Sequence, residues 1–204
     1  PILSYASYLG GSGPDQGVAI AVDNSGNSYV SGTSFSVIET AEKPLHNNPK
    51  GRSDIFIAKL NPEGELLYAT YLGGQDYDKV TGISVDDNGY IYITGSTSSD
   101  DFPVKSALQE NYGGGSHDAF ISKLSSDGST LIFSTYIGGE DQDKGHDLTL
   151  DDQNNIYLTG ETSSDKFPLE KAIQAQRGGH ADAYLMKLTS DGSTVEFATY
   201  LGGR

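Results

Sequence analysis

The chain of 204 residues contains no cysteine, and this absence excludes disulfide bonds, thiol catalysis and cysteine-ligated zinc. Long apolar runs are also absent, because no stretch approaches the ~20 residues that a membrane helix needs. The chain does not open on a basic segment followed by an apolar one, as a signal peptide would. The sequence therefore predicts no membrane insertion.

Basic residues are scarce, with 13 Lys and Arg against 28 Asp and Glu, which gives a net charge of −15. Affinity for a nucleic-acid backbone comes from Lys and Arg, so this balance argues against a nucleic-acid partner. A strongly acidic surface favours solubility and attracts cations.

The sequence is organised around a repeated tetrad, Tyr-Leu-Gly-Gly or Tyr-Ile-Gly-Gly. Its four copies begin at Tyr8, Tyr71, Tyr136 and Tyr200, at steps of 63, 65 and 64 residues. Each copy ends an apolar run and precedes a turn rich in Gly and Asp or Ser. A fixed period of this kind indicates a repeat architecture.

One unit of the repeat predicts four short strands joined by hairpins, because alternating or β-branched runs are separated by tight turns. In the middle unit the strands are Val80–Asp86, Tyr90–Ser96, Ala119–Leu124 and Thr130–Ile137. The sheet is apolar on both faces, which favours radial stacking against neighbouring sheets. We therefore predict an all-β, propeller-type array of four-stranded antiparallel blades, with a β-sandwich as the alternative.

The period divides the chain into three blades and one extra strand. We place the outer strand of a preceding blade at residues 1–11, blade 1 at 12–74, blade 2 at 75–139 and blade 3 at 140–204. The extra strand, Ile2–Leu9, has no vacancy to fill, because blade 3 already has its own fourth strand. Both ends resemble internal repeats, so we expect a segment of a longer array. The alternative is a subunit whose free edges pair with other copies.

These residues resemble the SBBP (seven-bladed β-propeller) repeat family. The resemblance lies in Tyr71–Gly74, Gly82–Gly89, Tyr92–Thr97, Asp101-Phe102-Pro103 and Asp118–Leu124. The second and third units match in full, whereas the first lacks the Phe-Pro element. The resemblance implies a propeller blade of bacterial and archaeal surface or secreted proteins, with no general catalytic residues to carry over.

Candidate metal ligands lie in the loops between blades. These loops carry Asp76 and Asp78, then Asp141 and Asp143, and in the first unit only Asp15. An Asp-x-Asp pair on a Gly-rich turn can direct two hard oxygens toward one cation, as calcium loops do. The alternative is a solvated turn in which Asp accepts bonds from backbone N–H groups. Calcium is the one cofactor that the sequence raises as a hypothesis.

The long loops after the second strands contain Phe102-Pro103 and Phe167-Pro168, for which we predict one helical turn anchored to the blade by the Phe. The first unit has Val37–Pro49 instead, so recognition could differ between blades there.

Other polar residues repeat without forming a catalytic set. Each third strand contains one lysine and begins with one aspartate: Lys59, Lys123 and Lys187, and Asp54, Asp118 and Asp182. A catalytic group is needed only once, so threefold repetition argues against a catalytic role. We expect the lysines to tie blades together or to lie over apolar surface. The four histidines form no repeating set, and no serine-nucleophile motif accompanies them.

The sequence thus predicts a non-catalytic, extracellular or cell-surface module that acts as a scaffold or adhesion surface for a protein or glycan at its loop end. The first alternative is a subunit that assembles through free blade edges into a polymer or fibre. The second is a glycan-active enzyme, which would need a single cluster of paired carboxylates.

Overall fold

The computed structural model describes residues 5–38, 45–46 and 48–203, and in these residues it contains twelve strands and no helix. The strands are β1 (Asp15–Val22), β2 (Ser28–Ser34), β3 (Asp54–Leu60), β4 (Leu66–Leu72), β5 (Asp78–Val85), β6 (Ile91–Thr97), β7 (Asp118–Leu124), β8 (Leu131–Ile137), β9 (Asp143–Leu150), β10 (Ile156–Thr162), β11 (Asp182–Leu188) and β12 (Val195–Leu201). With no helix in the described part, nothing there could cross a bilayer as an apolar helix. The predicted all-β class is confirmed.

The strands form three separate antiparallel sheets, each in chain order: β1–β4, β5–β8 and β9–β12. We call them blades 1, 2 and 3, and all their strands fall inside the residue bounds proposed for those blades. Their registers are equivalent, because the first strand of each blade opens with an Asp opposite the last residue of the second strand. One local sequence pattern has produced the same sheet three times.

The first strand of every blade contains a bulge. The register of β1 shifts between Gly17 and Ala19, and β5 and β9 shift at the corresponding place. The bulge brings a main-chain carbonyl so close to the second strand that a side chain at Gly95 would collide with the carbonyl of Lys79, and one at Gly160 with that of Lys144. A glycine therefore recurs in the middle of each second strand, where it would otherwise weaken the sheet.

The tight turns also follow the sequence prediction. Gly26 and Gly89 have positive φ values of 82° and 78°, and Asn154, which replaces Gly in the third unit, has 61°. Asn tolerates this left-handed geometry better than most side chains do, so the shared backbone requirement explains the exchange.

The blades stack face to face through two apolar cores. The contact between successive blades is called a seam below. The first seam buries Ile55 and Leu72 of blade 1 against Ile83 and Ile93 of blade 2. The second seam buries Ile121 and Ile137 of blade 2 among side chains of blade 3. Because β5 also neighbours both β1 and β9, the first strands lie side by side at the inner edge of a propeller-type array.

The segment before blade 1 lies where the outer strand of a preceding blade would lie. The ring of Tyr5 covers Gly64 in the β3–β4 turn, just as Tyr68 covers Gly128 and Phe133 covers Gly192. Residues 5–11 nevertheless pair with none of the described strands, and residues 1–4 of the predicted extra strand lie outside the described part.

The prediction of a helical turn in the long loops is wrong. Lys105 and Ser134 exchange two backbone hydrogen bonds, and Glu170 and Ala198 do the same, so each loop runs along the outer strand of its own blade. Ser106 and Lys171, the residues that follow, have a positive φ of 47°. Pairing with the strand edge satisfies the backbone groups that a helix would have satisfied internally.

Candidate functional site

All irregular connections meet at one end of the blades, which we call the loop end. The β2–β3 loop of each blade bonds to the connection that enters the next blade: the N–H of Asp78 donates to the carbonyl of Ser53 at 3.0 Å, and that of Asp143 to His117 at 2.8 Å. The other end carries only tight turns. Sites built from several loops can therefore form only at the loop end.

The two members of each predicted Asp-x-Asp motif lie in different environments. Asp78 and Asp143 are fully buried, whereas Asp76 and Asp141 are exposed. The carboxylates of Asp78 and Asp143 accept the N–H of Gly74 and Gly139 at 2.8 and 2.7 Å, and Asp15 does the same for Gly11 at 2.8 Å. The inner Asp therefore holds the second glycine of the tetrad.

The aspartates that open the third strands hold the loop of their own blade. Asp118 accepts the N–H of Gly113 at 2.6 Å, and Asp182 accepts that of Gly178 at 2.7 Å. Asp54 accepts N–H groups from Lys50 and Gly51 in the same way. The threefold repetition is explained by this loop-holding role.

At each seam these two sets of aspartates converge on the first glycine of the tetrad. Asp54 and Asp78 flank Gly73, and Asp118 and Asp143 flank Gly138. Burial raises the pKa of Asp78 to about 6 and that of Asp118 to about 7, and the neighbouring carboxylate adds to both shifts. The sequence analysis named all four residues but did not join them, although both sets recur at the same period and each opens a strand at the loop end.

The tyrosine of the tetrad fixes the long loop. The hydroxyl of Tyr136 donates to the carbonyl of Ser99 at 2.8 Å and accepts the N–H of Phe102 at 3.0 Å. Phe102 is buried against Phe120, with ring centroids 4.7 Å apart, as expected for an anchor. In blade 1, Ile38 donates its N–H to Tyr71 and is also buried, so it takes the place of the missing Phe-Pro element.

The repeated lysines lie over tyrosine rings of the adjacent strand. The ammonium group of Lys59 is 4.8 Å from the ring centre of Tyr29, and that of Lys123 is 4.6 Å from Tyr92. Lys123 also donates to the carbonyl of Ser190 in blade 3 at 3.3 Å. Lys187 lies 5.3 Å from the ring centre of Tyr157 and also pairs with Glu196 at 2.7 Å. Both expected roles occur: contact with apolar rings in all blades, and a tie across the second seam.

A groove of about 600 Å³ opens at the loop end between the inner strands. Basic side chains concentrate there, together with an exposed aromatic ring and few acids. The lining includes Asp15, Gln16, Val18, Phe35, Lys79, Thr81, His117, Lys144 and His146. Val18, Thr81 and His146 are the extra residues of the three bulges, so the bulges direct one side chain of each blade into the groove.

The groove lining carries two lysines and one aspartate, although the chain as a whole has a net charge of −15. Lys79 has no ion-pair partner among the described residues, whereas Lys144 pairs with Glu161 at 2.7 Å. Burial lowers the pKa of His117, and nearby Lys144 and Lys79 lower it further, so this imidazole is neutral at neutral pH. The sequence analysis missed the groove, because its basic residues belong to two blades and do not form a motif.

Neither a catalytic triad nor a three-ligand metal cluster occurs in the described residues. Ser116 Oγ lies 2.9 Å from Nδ1 of His117, but no carboxylate bonds to that imidazole in the described part. Similarly, residues 5–38, 45–46 and 48–203 contain no group of three or more His, Cys, Asp or Glu that could hold a metal ion.

One family model matches the chain at three successive places. The model of the SBBP family, described as a beta-propeller repeat, matches residues 5–38, 67–103 and 132–168, which together exceed half of the chain. Each match runs from an outer strand, through the tetrad, to the long loop of the next blade.

A curated relative is the regulatory protein FlaEY of Caulobacter vibrioides. It is 25% identical over 153 residues, which is 72% of this chain but only 16% of that protein. The chain thus resembles a small part of a much longer protein.

Proposed function

The chain belongs to the SBBP family of beta-propeller repeats, and from this premise we propose that it is a non-catalytic interaction module that works outside the cell or on its surface. Its groove at the loop end binds a protein or glycan that carries carboxylate or sulfate groups. The extracellular placement depends on what the resemblance to this family implies, namely a blade of surface or secreted proteins.

The observation that carries this proposal is a groove with more lysine than acid on an otherwise acidic chain. Opposite charge raises the local concentration of an anionic partner and steers its approach. The free ammonium group of Lys79 can make a charge-assisted hydrogen bond to a carboxylate or sulfate. Phe35, 52% exposed at the edge of the groove, offers an apolar surface beside these charges.

An enzymatic role is not favoured by the residues of the groove. A hydrolase of the Ser-His-acid type needs a carboxylate that orients the imidazole, and His117 has none among the described residues. A glycosidase needs two facing carboxyl groups, and the groove lining contains only Asp15, whose carboxylate holds the N–H of Gly11.

The test is a binding measurement with matched acidic and neutral ligands: polyuronate against a neutral glucan, and a poly-glutamate peptide against poly-glutamine. We expect binding to the acidic ligand of at least one pair and weakening as salt is raised. Lys79→Gln should lower the affinity roughly two- to fivefold, because an exposed charge pair contributes up to about 1 kcal/mol.

Lys166→Gln is the control, since Lys166 is exposed and lies outside the groove. Binding of polyuronate alone identifies a glycan partner, and binding of poly-glutamate alone identifies a protein partner. Equal binding of acidic and neutral ligands, or equal losses for Lys79→Gln and Lys166→Gln, would contradict the proposal.

A second candidate function is head-to-tail association of copies of the chain, which the two end faces favour. We call the outward surface of blade 1 the front face and that of blade 3 the back face. Ile20 on the front face is 66% exposed, whereas the equivalent Ile83 and Leu148, covered by a preceding blade, are 7% and 5% exposed.

The back face also exposes an apolar side chain that a neighbouring blade would cover. Leu201 is 49% exposed, whereas the equivalent Leu72 and Ile137 are 0% and 2% exposed because a following blade covers them. The same two surfaces pack against each other twice within the chain. A second copy can therefore repeat the seam by placing its front face on this back face, a heterologous contact that generates rings or filaments.

A further inference from the structure

Each seam brings two carboxylates from successive blades to one point. Asp118 Oδ1 and Asp143 Oδ2 both lie 2.8 Å from the position that a Cβ atom on residue 138 would occupy. At the other seam, Asp54 Oδ1 and Asp78 Oδ2 converge on the corresponding position of residue 73. A side chain at either glycine would collide with both carboxylates, and both seams have a glycine there.

Three of the four paired carboxylates are incompletely satisfied, whereas both oxygens of Asp54 accept backbone N–H groups. Asp78, Asp118 and Asp143 are fully buried, and their described hydrogen bonds reach only the Oδ2 atom. Asp78 Oδ2 accepts from Gly74 and Ser99, and Asp118 Oδ2 accepts from Gly113 and Gln109. Asp143 Oδ2 accepts from Gly139 and Ser164. The Oδ1 atom of each has no partner in the described part of the chain. An orphaned buried carboxylate oxygen is costly and calls for an ion, a water or a proton.

No described basic side chain neutralises these pairs by an ion pair, because the described salt bridges all involve other acids. Lys50 lies near Asp54, whereas Asp101 adds negative charge near Asp54 and Glu140 adds it near Asp143. Two buried negative charges without a counter-charge repel each other in a medium of low dielectric constant.

We propose that each seam pair, Asp54 with Asp78 and Asp118 with Asp143, binds a calcium ion that ties successive blades together. Calcium accepts carboxylate, carbonyl and hydroxyl oxygens in irregular geometries, whereas magnesium demands a near-ideal octahedron. Since each seam supplies only two carboxylates, main-chain and hydroxyl oxygens of the loops complete the set.

This arrangement revises the site suggested by the sequence. It retains Asp78 and Asp143, exchanges the exposed Asp76 and Asp141 for Asp54 and Asp118, and leaves out Asp15. Each ion would be held by two blades rather than by one loop.

The test is calorimetric titration of the chelator-treated chain with calcium chloride at neutral pH. We expect two saturable sites per chain and a higher thermal unfolding temperature with calcium than with chelator, because a ligand that binds the folded state stabilises it. Terbium luminescence sensitised by tyrosine gives an independent readout, since the chain contains 13 Tyr and no Trp.

Asp118→Asn should remove one site, and Asp54→Asn combined with Asp118→Asn should remove both. Asp152→Asn is the control, because its exposed carboxylate lies in the β9–β10 turn, at the end of blade 3 opposite Asp143. Circular dichroism checks that each variant folds, and the wild-type titration remains decisive if one does not.

Absence of calcium heat together with an unfolding temperature indifferent to calcium and chelator would overturn the proposal. Stability that rises as the pH falls from 8 to 5, with no calcium effect, would overturn it too and would assign the orphaned oxygens to a shared proton. Calcium binding that persists when Asp54→Asn and Asp118→Asn are combined would show that the ions bind at other residues.

Discussion

Aspartate serves two opposite electrostatic roles in this chain. In the tight turns it accepts several hydrogen bonds: Asp23 takes the N–H groups of Ser25 and Asn27, and Asp191 takes that of Ser193 and the hydroxyl of Thr189. At Asp23 and Asp191 these bonds outweigh the effect of burial and hold the pKa of the carboxyl group below its usual range. At the seams, burial acts in the opposite direction. An ionised aspartate therefore stabilises the turns, whereas at the seams the buried negative charge is destabilising unless a cation or a proton neutralises it.

The turn at Asp191 gives a prediction for acid conditions. Hydrogen bonds from Thr189 and then Ser193 lower the pKa of Asp191 to about 2. A carboxylate whose pKa is lower in the folded state contributes stability above the unfolded value of about 3.9, and this contribution is lost as the pH falls toward 2. Asp191→Asn should therefore reduce the dependence of the urea midpoint on pH between about 4 and 2.

Asp152→Asn is the matched control, because Asp152 is exposed and its carboxylate makes no hydrogen bond among the described residues. Urea unfolding of both variants over that pH range measures the effect. Identical pH profiles for Asp191→Asn and the wild type would show that the turn does not depend on the ionised form.

Among the elements, the long loop between β6 and β7 shows most clearly how packing overrides a local pattern. Its Pro103 suggested a helical start, yet the loop follows the edge of β8 and is held by Phe102. The ring of Phe102 contacts Phe120 and Tyr136, and its N–H reaches the Tyr136 hydroxyl. The loop is therefore part of the blade and not a mobile insertion.

Phe102→Ala tests this anchoring. We expect the free energy of unfolding to fall by about 3–5 kcal/mol, the usual cost of truncating a buried Phe to Ala. The loop should also become the first site of cleavage in limited proteolysis. Leu108→Ala in the same loop is the control, since Leu108 is 43% exposed and should change stability by less than about 1 kcal/mol. Equal effects of the two variants would contradict the anchor.

At the scale of the whole molecule, the end faces predict how copies would associate. Light scattering after size exclusion should show the mass of the wild-type chain rising with concentration. Ile20→Glu blocks the front face and Leu201→Glu blocks the back face, so each variant alone should be monomeric. A mixture of the two should form a one-to-one dimer, because each retains the face that the other lacks.

Ile173→Glu provides the control, since Ile173 is 92% exposed in a loop outside both faces and should leave association unchanged. A wild-type chain that stays monomeric at every concentration would rule out head-to-tail association in solution. Dimers formed by either blocked variant alone would point to a different interface.

The sequence by itself determined the period, the four strands of each blade, their turns and the radial stacking. Those features depend on neighbouring residues: alternation sets a strand, and Gly or Asn permits the left-handed turn at Gly89 or Asn154. The resemblance to SBBP repeats could be recognised for the same reason, since its motifs are contiguous.

Only the tertiary structure decided which residues share a site. Asp54 and Asp78 meet because two blades stack, and the groove gathers Thr81 and His146 because the bulges of two inner strands turn toward it. The sequence assigned Asp76 and Asp78 to one site by spacing, but strand geometry buries one and exposes the other. Distances between blades depend on stacking, and no pattern within a single repeat encodes them.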